Sequence, residues 1–417
     1  MRAPHIASRP RLLWVNHFAV APDMGGATRH VEMGRELVKL GWDVTIAASD
    51  FHLHRRTYLR RSASSDRAPC EEHLDGVRLM WLWASPYERN DLRRIGNWLS
   101  FGGSLLRLDR AAISPDVVIG STPHLFAALA AWRLARQIGV PFILEVRDLW
   151  PESLDVGGGR RGAGYHALHA LARFLYRSAD AIVVLADGVA RYLARSGVPE
   201  AKIAVVPNGV DLALFDRDSL AEPRHALRIG YAGAHGPANG LEAVLDAAAE
   251  LRDDPRIRFV LVGDGPAKSS LVERARSLQL ENIEFVAPVP KSAMPDFLCG
   301  CDAGLMVLKD VALFSFGVSP NKLFDYWAAA LPVICNVPGE VAGLVTDAHG
   351  GVQAADASAG ALARAIRCLV AMQPDERRAL GVSGREWVRH ERDRPVLAAR
   401  LDRALRPYLR APSRAAS

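Results

Sequence analysis

Two doubly wound α/β domains of similar size, followed by a helical tail, are the fold this sequence predicts. Three observations predict it. A chain of 417 residues exceeds what a single hydrophobic core organises. Short apolar runs alternate with amphipathic stretches through the first half, as expected of a parallel sheet covered by helices on both faces. That alternation stops at Val206-Pro207-Asn208-Gly209-Val210-Asp211, where Pro, Asn and Gly cluster, and then begins again.

The elements follow in order. Leu12–Val15, Val44–Ala48, Val77–Trp83, Val117–Ile119, Phe142–Val146, Ala181–Leu185 and Ile203–Val206 read as strands. Ala27–Leu40, Leu125–Gln137 and Tyr165–Arg177 read as helices between them. After the break come strands at Leu227–Ala232, Arg258–Val262, Ile283–Val286, Ala303–Val307 and Val333–Cys335. Helices are expected at Leu241–Leu251, Ala267–Leu278 and Pro295–Gly300, and everything from Ala357 reads as helical. The domains are expected at 1–207 and 208–385, with 386–417 a helical tail packing back on the first. Ligands of such sheets bind beyond the carboxyl ends of the strands, so the expected site is a cleft between two facing domains.

Composition narrows the class. Hydrophobic residues make up 49% and charged residues 24%, the balance of a soluble globular protein. No apolar run reaches membrane-spanning length. Met1 to Arg11 is short and basic, without the apolar core of a secretory signal. The five cysteines have no metal-ligand spacing and read as free thiols. A formal charge of +6 is too small to imply nucleic acid. Its distribution says more. Arg55, Arg56, Arg60 and Arg61 crowd one stretch, and Arg89, Arg93 and Arg94 lie beside Tyr87, Leu92, Ile95, Trp98, Leu99 and Phe101. This suits an anionic membrane surface. It equally suits a solvated loop followed by a helix with its apolar side to the core, and both readings stand.

The segment from Gly317 to Ile334 carries the most chemical content. A polar loop with Ser319 and Asn321 enters a helix, whose first N–H groups and positive dipole end favour an anion. Lys322 adds a full charge, and Asp325 lies one turn on, placed for sugar hydroxyls. Other motifs end predicted strands. Gly25-Gly26 follows the first strand, with Arg29 just beyond. Gly233, His235, Gly236 and Asn239 lie in a glycine-rich turn after the first strand of the second domain, and Gly263 and Gly265 follow the next strand. Such glycines let a backbone approach phosphate. With Lys322 and Asp325 they point to a nucleotide-diphosphate pocket. His124 sits at a helix start and suits a sugar hydroxyl, a phosphate or a simple capping role. Glu145, Arg147 and Asp148 crowd the exit of one buried strand, where they meet a ligand or pair internally. The dinucleotide fingerprint G-x-G-x-x-G is missing, so Asp50 reads as loop polarity. Asp216-Arg217-Asp218 and the pair His166/His169 lack the context of a metal site.

As a set these motifs resemble the retaining glycosyltransferases of family four, which have the two-Rossmann GT-B fold. Arg147-Asp148-Leu149-Trp150-Pro151-Glu152-Ser153 and Ser319-Pro320-Asn321-Lys322-Leu323-Phe324-Asp325-Tyr326 are similar to the branch holding the fucosaminyl transferases of O-antigen and capsule assembly. The resemblance implies a nucleotide-sugar donor, commonly a UDP-sugar carrying a deoxy or N-acetylated hexose. It also implies a polyprenyl-diphosphate-linked glycan acceptor, retention of configuration, no cofactor or metal, and a cytoplasmic enzyme peripheral to the inner face of the membrane. His124, Lys322 and Asp325 are then the expected catalytic residues. Gly25, Gly26, Gly233, His235, Gly236, Asn239, Gly263, Gly265, Gly317, Ser319 and Asn321 are expected on the donor, and Arg29, Glu145, Arg147 and Asp148 on the acceptor side. Two departures matter. The family's first acid aligns with Gly317, and its usual basic residue before Gly240 is Asn239. A non-catalytic nucleotide-sugar-binding subunit and a sugar-nucleotide epimerase remain as alternatives.

Overall fold

The computed structural model describes residues 9–24, 28–53, 55–62, 65–89, 91–154, 162–216, 225–311 and 317–409. Contacts divide the chain into two units, 1–206 with 397–417, and 207–396.

The first unit is built on β1 (Arg11–Val15), β2 (Asp43–Ser49), β3 (Cys70–Leu74), β4 (Val77–Leu82), β5 (Val117–Ser121), β6 (Phe142–Val146), β7 (Ala181–Val184) and β8 (Ile203–Val205). The sheet order is β3-β4-β2-β1-β5-β6-β7-β8. All pairs are parallel except β3 with β4. β3 is an addition to the predicted strands. Asp75 and Gly76 both take positive φ, so β3 and β4 form a two-residue hairpin at the sheet edge. The helices are α1 (Arg29–Lys39), α2 (Leu92–Leu106), α3 (Arg110–Ile113), α4 (Leu125–Ile138), α5 (Ala163–Ser178) and α6 (Asp187–Arg195).

Strand alternation sorts these helices onto two faces. Trp14, Ile46, Leu79 and Ile119 point to one core with Val31, Met33 and Leu37 of α1 and with Leu397, Leu401 and Leu405 from the end of the chain. Gly120 points the other way, where a Cβ would crowd Ala131 of α4. α2 packs on α4 and α4 on α5, forming one layer on that second face.

The second unit holds β9 (Leu227–Ala232), β10 (Ile257–Val262), β11 (Ile283–Val286), β12 (Ala303–Met306), β13 (Val333–Cys335) and β14 (Gly351–Gln353). They run parallel in the order β11-β10-β9-β12-β13-β14. β14, a three-residue edge strand, is too short to have shown a pattern. Its helices are α7 (Leu241–Glu250), α8 (Lys268–Ser277), α9 (Met294–Cys299), α10 (Asn321–Ala328), α11 (Glu340–Asp347), α12 (Ala359–Ala371) and α13 (Pro374–Glu391). α14 (Arg394–Leu405) then carries the chain back, and residues from Leu397 on group with the first unit. One core packs α7, α8 and α12 on the sheet, and the other packs α9, α10, α11 and α13.

The register of α10 decides where the Lys322 side chain goes. Leu323, Phe324, Tyr326 and Trp327 are buried. Tyr326 lies over Gly304 of β12, and its hydroxyl accepts the N–H of Ala232 at 2.9 Å. Trp327 fits against Gly350 and Gly384, and its Nε1–H donates to the Gly350 carbonyl at 2.9 Å. Both glycines are places where a Cβ would overlap the ring. With four side chains fixed inward, Lys322 and Asp325 share the other side of the helix.

Replacing Gly304 by Ala forces Tyr326 off this seat, and overpacking of this kind costs about 1–3 kcal/mol. Gly343 lies in α11 with nothing near its would-be Cβ, so Gly343→Ala raises stability by about 0.5–1 kcal/mol. Urea unfolding of the two variants checks both signs.

Candidate functional site

In the second unit the carboxyl ends of β9, β10 and β12 and the start of α10 bring polar groups together. Lys322 is half-buried, and its Nζ donates to the Tyr231 hydroxyl at 3.0 Å and to Asn239 Oδ1 at 3.3 Å. It lies 4.3 Å from the Tyr231 ring centroid and sits beside Gly233, where a Cβ would come within 3.5 Å of it. The tyrosine hydroxyl in turn donates to the Ala234 carbonyl at 2.8 Å. Among the described residues no carboxylate pairs with this ammonium. Burial pushes the Lys322 amine down to about 7. α10 has Pro320 at its N-cap and no side-chain cap, so no capping side chain covers its first N–H groups, and Lys322 lies in that same first turn. Asn321 is exposed at that start, and Asp325 is half-buried one turn on. An unpaired ammonium, open helix amides and a glycine beside them make a site for an anion.

The neighbouring loops hold this site rather than touch its centre. A Cβ on Gly263 would run into the Gly233 carbonyl, and one on Gly265 into the His235 backbone. These glycines therefore let the β10 loop lie on the β9 loop. His235 joins the two through its backbone, donating to the Asp264 carbonyl at 2.8 Å and accepting from Ala267 at 2.9 Å. Its ring is buried with both nitrogens unpartnered among the described residues. Burial, then the charge of Lys268, lowers its pKa. Gly236 lies against the Asn239 amide. Ser319 is engaged: its hydroxyl accepts from the Asn208 N–H at 2.9 Å, and its carbonyl accepts from the Asn208 amide at 2.8 Å. Gly317 has φ +98°, a backbone state that strains any residue with a Cβ.

The first unit has its own polar ground at the ends of β1, β5 and β6. Gly25 and Gly26 lie outside the described residues. Glu145 is buried and accepts from Ser121 Oγ at 2.6 Å, Trp14 Nε1 at 3.3 Å, His30 Nε2 at 3.2 Å and Arg29 Nε at 3.4 Å. Arg29 also donates to the Val206 carbonyl at 2.9 Å. Burial pushes the Glu145 carboxyl up, but the His30 hydrogen bond and the charges of Arg29 and Arg147 outweigh it and hold it ionised. Burial lowers His30 to about 4, so the ring donates as a neutral imidazole. Arg29 and Glu145 thus form a closed internal pair. Arg147 is half-buried and Asp148 exposed, with their N–H groups directed to Thr122 Oγ1 at 2.8 and 3.3 Å.

His124 is buried and caps α4, its Nδ1 accepting from the Ala127 N–H at 3.3 Å. Trp98 stacks on it at 4.9 Å, and His17 meets it edge-on at 4.7 Å. Nε2 of His124 and Nδ1 of His17 are both buried without a partner among the described residues. Burial lowers His124 well below its ordinary value and takes His17 to about 3.

Comparison with known proteins now decides the family. A glycosyl transferase 4-like domain matches residues 24–209, and a glycosyl transferases group 1 domain matches residues 226–372. The chain belongs to the glycosyltransferases. A protein of Escherichia coli K12 named for colanic acid biosynthesis (WcaI) is 29% identical over 51% of this chain and 55% of its own length, so the match spans about half of that relative. A D-inositol 3-phosphate glycosyltransferase of Kineococcus radiotolerans is 26% identical over 84% of this chain and 82% of its own. A Bacillus subtilis protein named for teichuronic acid biosynthesis (TuaC) is 24% identical over 85% and 88%. Among solved structures, sucrose-phosphate synthase from Thermosynechococcus elongatus superposes with a TM-score of 0.74 at 19% identity, covering 96% of this chain and 99% of that one. The Anabaena protein HepE, solved with UDP and glucose, gives 0.66 at 13% identity over 95% and 100%. The fold is therefore GT-B.

For this glycosyltransferase the structure brings Lys322, Gly233 and Asn239 together, with Asp325 on the same side of α10. It keeps Arg29–Glu145 and His124 inside the first unit. Tyr231 and His17 were missed by sequence reasoning. Tyr231 is a polar-tipped residue near the end of an aliphatic strand, and His17 lies two residues past the end of β1, which were the signals available.

Three buried neutral histidines make the first unit acid-sensitive. Their folded pKa values lie below the unfolded 6.5, so the unfolded chain binds more protons as pH falls from 6.5 towards 4. Stability is retained above 6.5 and declines below it, by about 1.4 kcal/mol per pH unit for each histidine. Denaturant unfolding across that range checks the slope, and His17→Asn flattens it.

Proposed function

We propose that this glycosyltransferase moves a deoxy or N-acetylated hexose from a UDP-sugar to a polyprenyl-diphosphate-linked glycan in bacterial surface-polysaccharide assembly, with retention. The observation that carries the reading is the Lys322 ammonium, half-buried and without a carboxylate partner among the described residues, beside Gly233 and the uncapped start of α10. In transfer, the bond between sugar C1 and the diphosphate oxygen breaks, and C1 bonds to an acceptor hydroxyl oxygen on the same face. The hydroxyl proton passes to the departing diphosphate. Negative charge grows on that diphosphate as the bond breaks, so fixed donors aimed at it stabilise the transition state more than the ground state. Lys322 and the α10 amides supply them. Asp325 takes donor ribose hydroxyls, and Arg147 and Asp148, the members of their cluster that reach solvent, take the acceptor. His124, closed under Trp98, acts by fixing the start of α4.

The names of WcaI and TuaC support polysaccharide assembly, and the HepE complexes support a nucleotide sugar. Gly317 favours a second reading, a subunit that binds donor without transfer, because its positive φ disfavours the acid the family places there. Product analysis separates the readings: transfer to a lipid-linked acceptor, donor binding alone, or conversion of free donor by an epimerase.

A thermal-shift panel of UDP-, GDP- and dTDP-sugars identifies the donor, since a ligand of the folded form raises its melting point. Lys322→Ala loses roughly tenfold or more in turnover and donor affinity, as expected for a charge-assisted contact. Smaller losses exclude the assigned role. Because the free amine titrates at about 7, UDP affinity falls as pH rises above that value. Lys322→Arg removes this dependence.

A further inference from the structure

The layer α2–α4–α5 of the first unit has an unusual charge pattern. Its three helices contain no aspartate or glutamate and six arginines. Five of these, Arg93, Arg133, Arg136, Arg173 and Arg177, are exposed, and none has a carboxylate partner among the described residues. The layer also holds four of the six large hydrophobic side chains exposed among the described residues. These are Leu92 at 81%, Leu99 at 55%, Phe174 at 40% and Ile95 at 37%. Leu92, Ile95 and Leu99 recur at helical spacing along one side of α2. The inward side of that helix carries Asn97, Trp98, Phe101 and Leu105.

The arginine-rich loop between β2 and β3 is different. Arg61 is buried against Asp50 at 2.5 Å, and Arg60 pairs with Glu72 at 2.9 Å. The sequence cluster is thus partly neutralised, whereas the scattered helix arginines are not. Beside the end of α2 lies a pocket of about 460 Å³ whose lining mixes Met80, Leu82 and Ile113 with Arg67 and Arg107 and with the acids Glu71 and Asp109. Neither of these two arginines has a carboxylate partner among the described residues.

Apolar side chains on a helix flanked by unpaired arginines match a bilayer interface with anionic headgroups. No helix among the described residues is long and apolar enough to cross a membrane. We propose that the α2–α4–α5 layer is the face by which this protein lies on an anionic membrane, with Leu92, Ile95 and Leu99 entering the interface and the arginines binding lipid phosphates. This deepens the lipid-linked acceptor reading, since it brings the enzyme to the surface where such an acceptor resides.

The test is co-sedimentation of the full chain with phosphatidylcholine vesicles, with and without phosphatidylglycerol. Wild-type protein binds the vesicles containing phosphatidylglycerol, and added salt weakens that binding. Arg133→Glu with Arg173→Glu lowers apparent affinity on the order of thirtyfold or more. Leu92→Ser with Leu99→Ser also releases the protein. Both double variants keep the wild-type melting point and UDP-induced shift. As a control, Arg276→Glu with Arg364→Glu, on the second unit, makes the same charge change and keeps vesicle binding. The proposal is overturned if wild type ignores anionic vesicles, if the layer variants bind as wild type does, or if the control loses binding equally. Vesicle binding without transfer to any lipid-linked acceptor sinks the acceptor reading and leaves this one standing.

Discussion

An ammonium set against a tyrosine ring and two neutral oxygens governs the second unit. Removing such a group from water without a counter-charge is expensive, and Lys322 answers by holding its proton less tightly. A nearby carboxylate would relieve that cost and would also fill the site. Its absence among the described residues leaves the charge available to a ligand anion. The supporting geometry is consistent with that. Tyr326 and Trp327 are seated on glycines, which sets the rotation of α10, and that rotation sets the direction of Lys322. The uncapped helix start adds partial positive charge in the same place.

The first unit handles buried charge in the opposite way. Glu145 is surrounded by donors from β1, β5 and α1, and Arg29 balances it. His30 beside it is held neutral by burial, so the network contributes order without exposing charge. The two units thus treat these buried groups differently. At the ends of β1, β5 and β6 the carboxylate of Glu145 is met by Arg29 inside the protein, whereas Lys322 in the second unit has no carboxylate partner among the described residues. The contrast lies in individual residues, since fold alone assigns no chemistry.

Much of this was legible in the sequence. Alternating strands and helices, the break at Val206–Asp211 and the place of Lys322 at a helix start beyond the strand ends follow from periodicity and turn chemistry. Other parts were not legible, for physical reasons. Ion pairing between residues far apart in sequence leaves no local trace, so Glu145 looked like a ligand contact until Arg29, 116 positions away, closed on it. His124 offered capping and ligand binding equally, and only tertiary packing under Trp98 distinguishes them. The glycines at Gly263 and Gly265 suggested phosphate approach, yet the close approach they permit is that of one loop to another. Short edge strands such as β14 bury too little to show a period.

Charge runs show the same difficulty in reverse. Arg60 and Arg61 stand out in the sequence because they are adjacent, and adjacency on a loop invites acids from neighbouring elements to pair with them. The arginines of α2, α4 and α5 are dispersed over separate helices and unremarkable in any window. Parallel topology places these helices side by side, and the lack of a single acid among them then becomes a property of a surface. Such a surface is costly to keep through mutual repulsion alone, and salt screens only part of it. Leu92, Ile95 and Leu99 exposed on the same layer add a second unfavourable term in water. Both terms change sign against an anionic interface, where repulsion becomes attraction and exposed apolar area is covered. A face that opposes its own solvation in two independent ways, and is relieved in both by one environment, is best explained by contact with that environment.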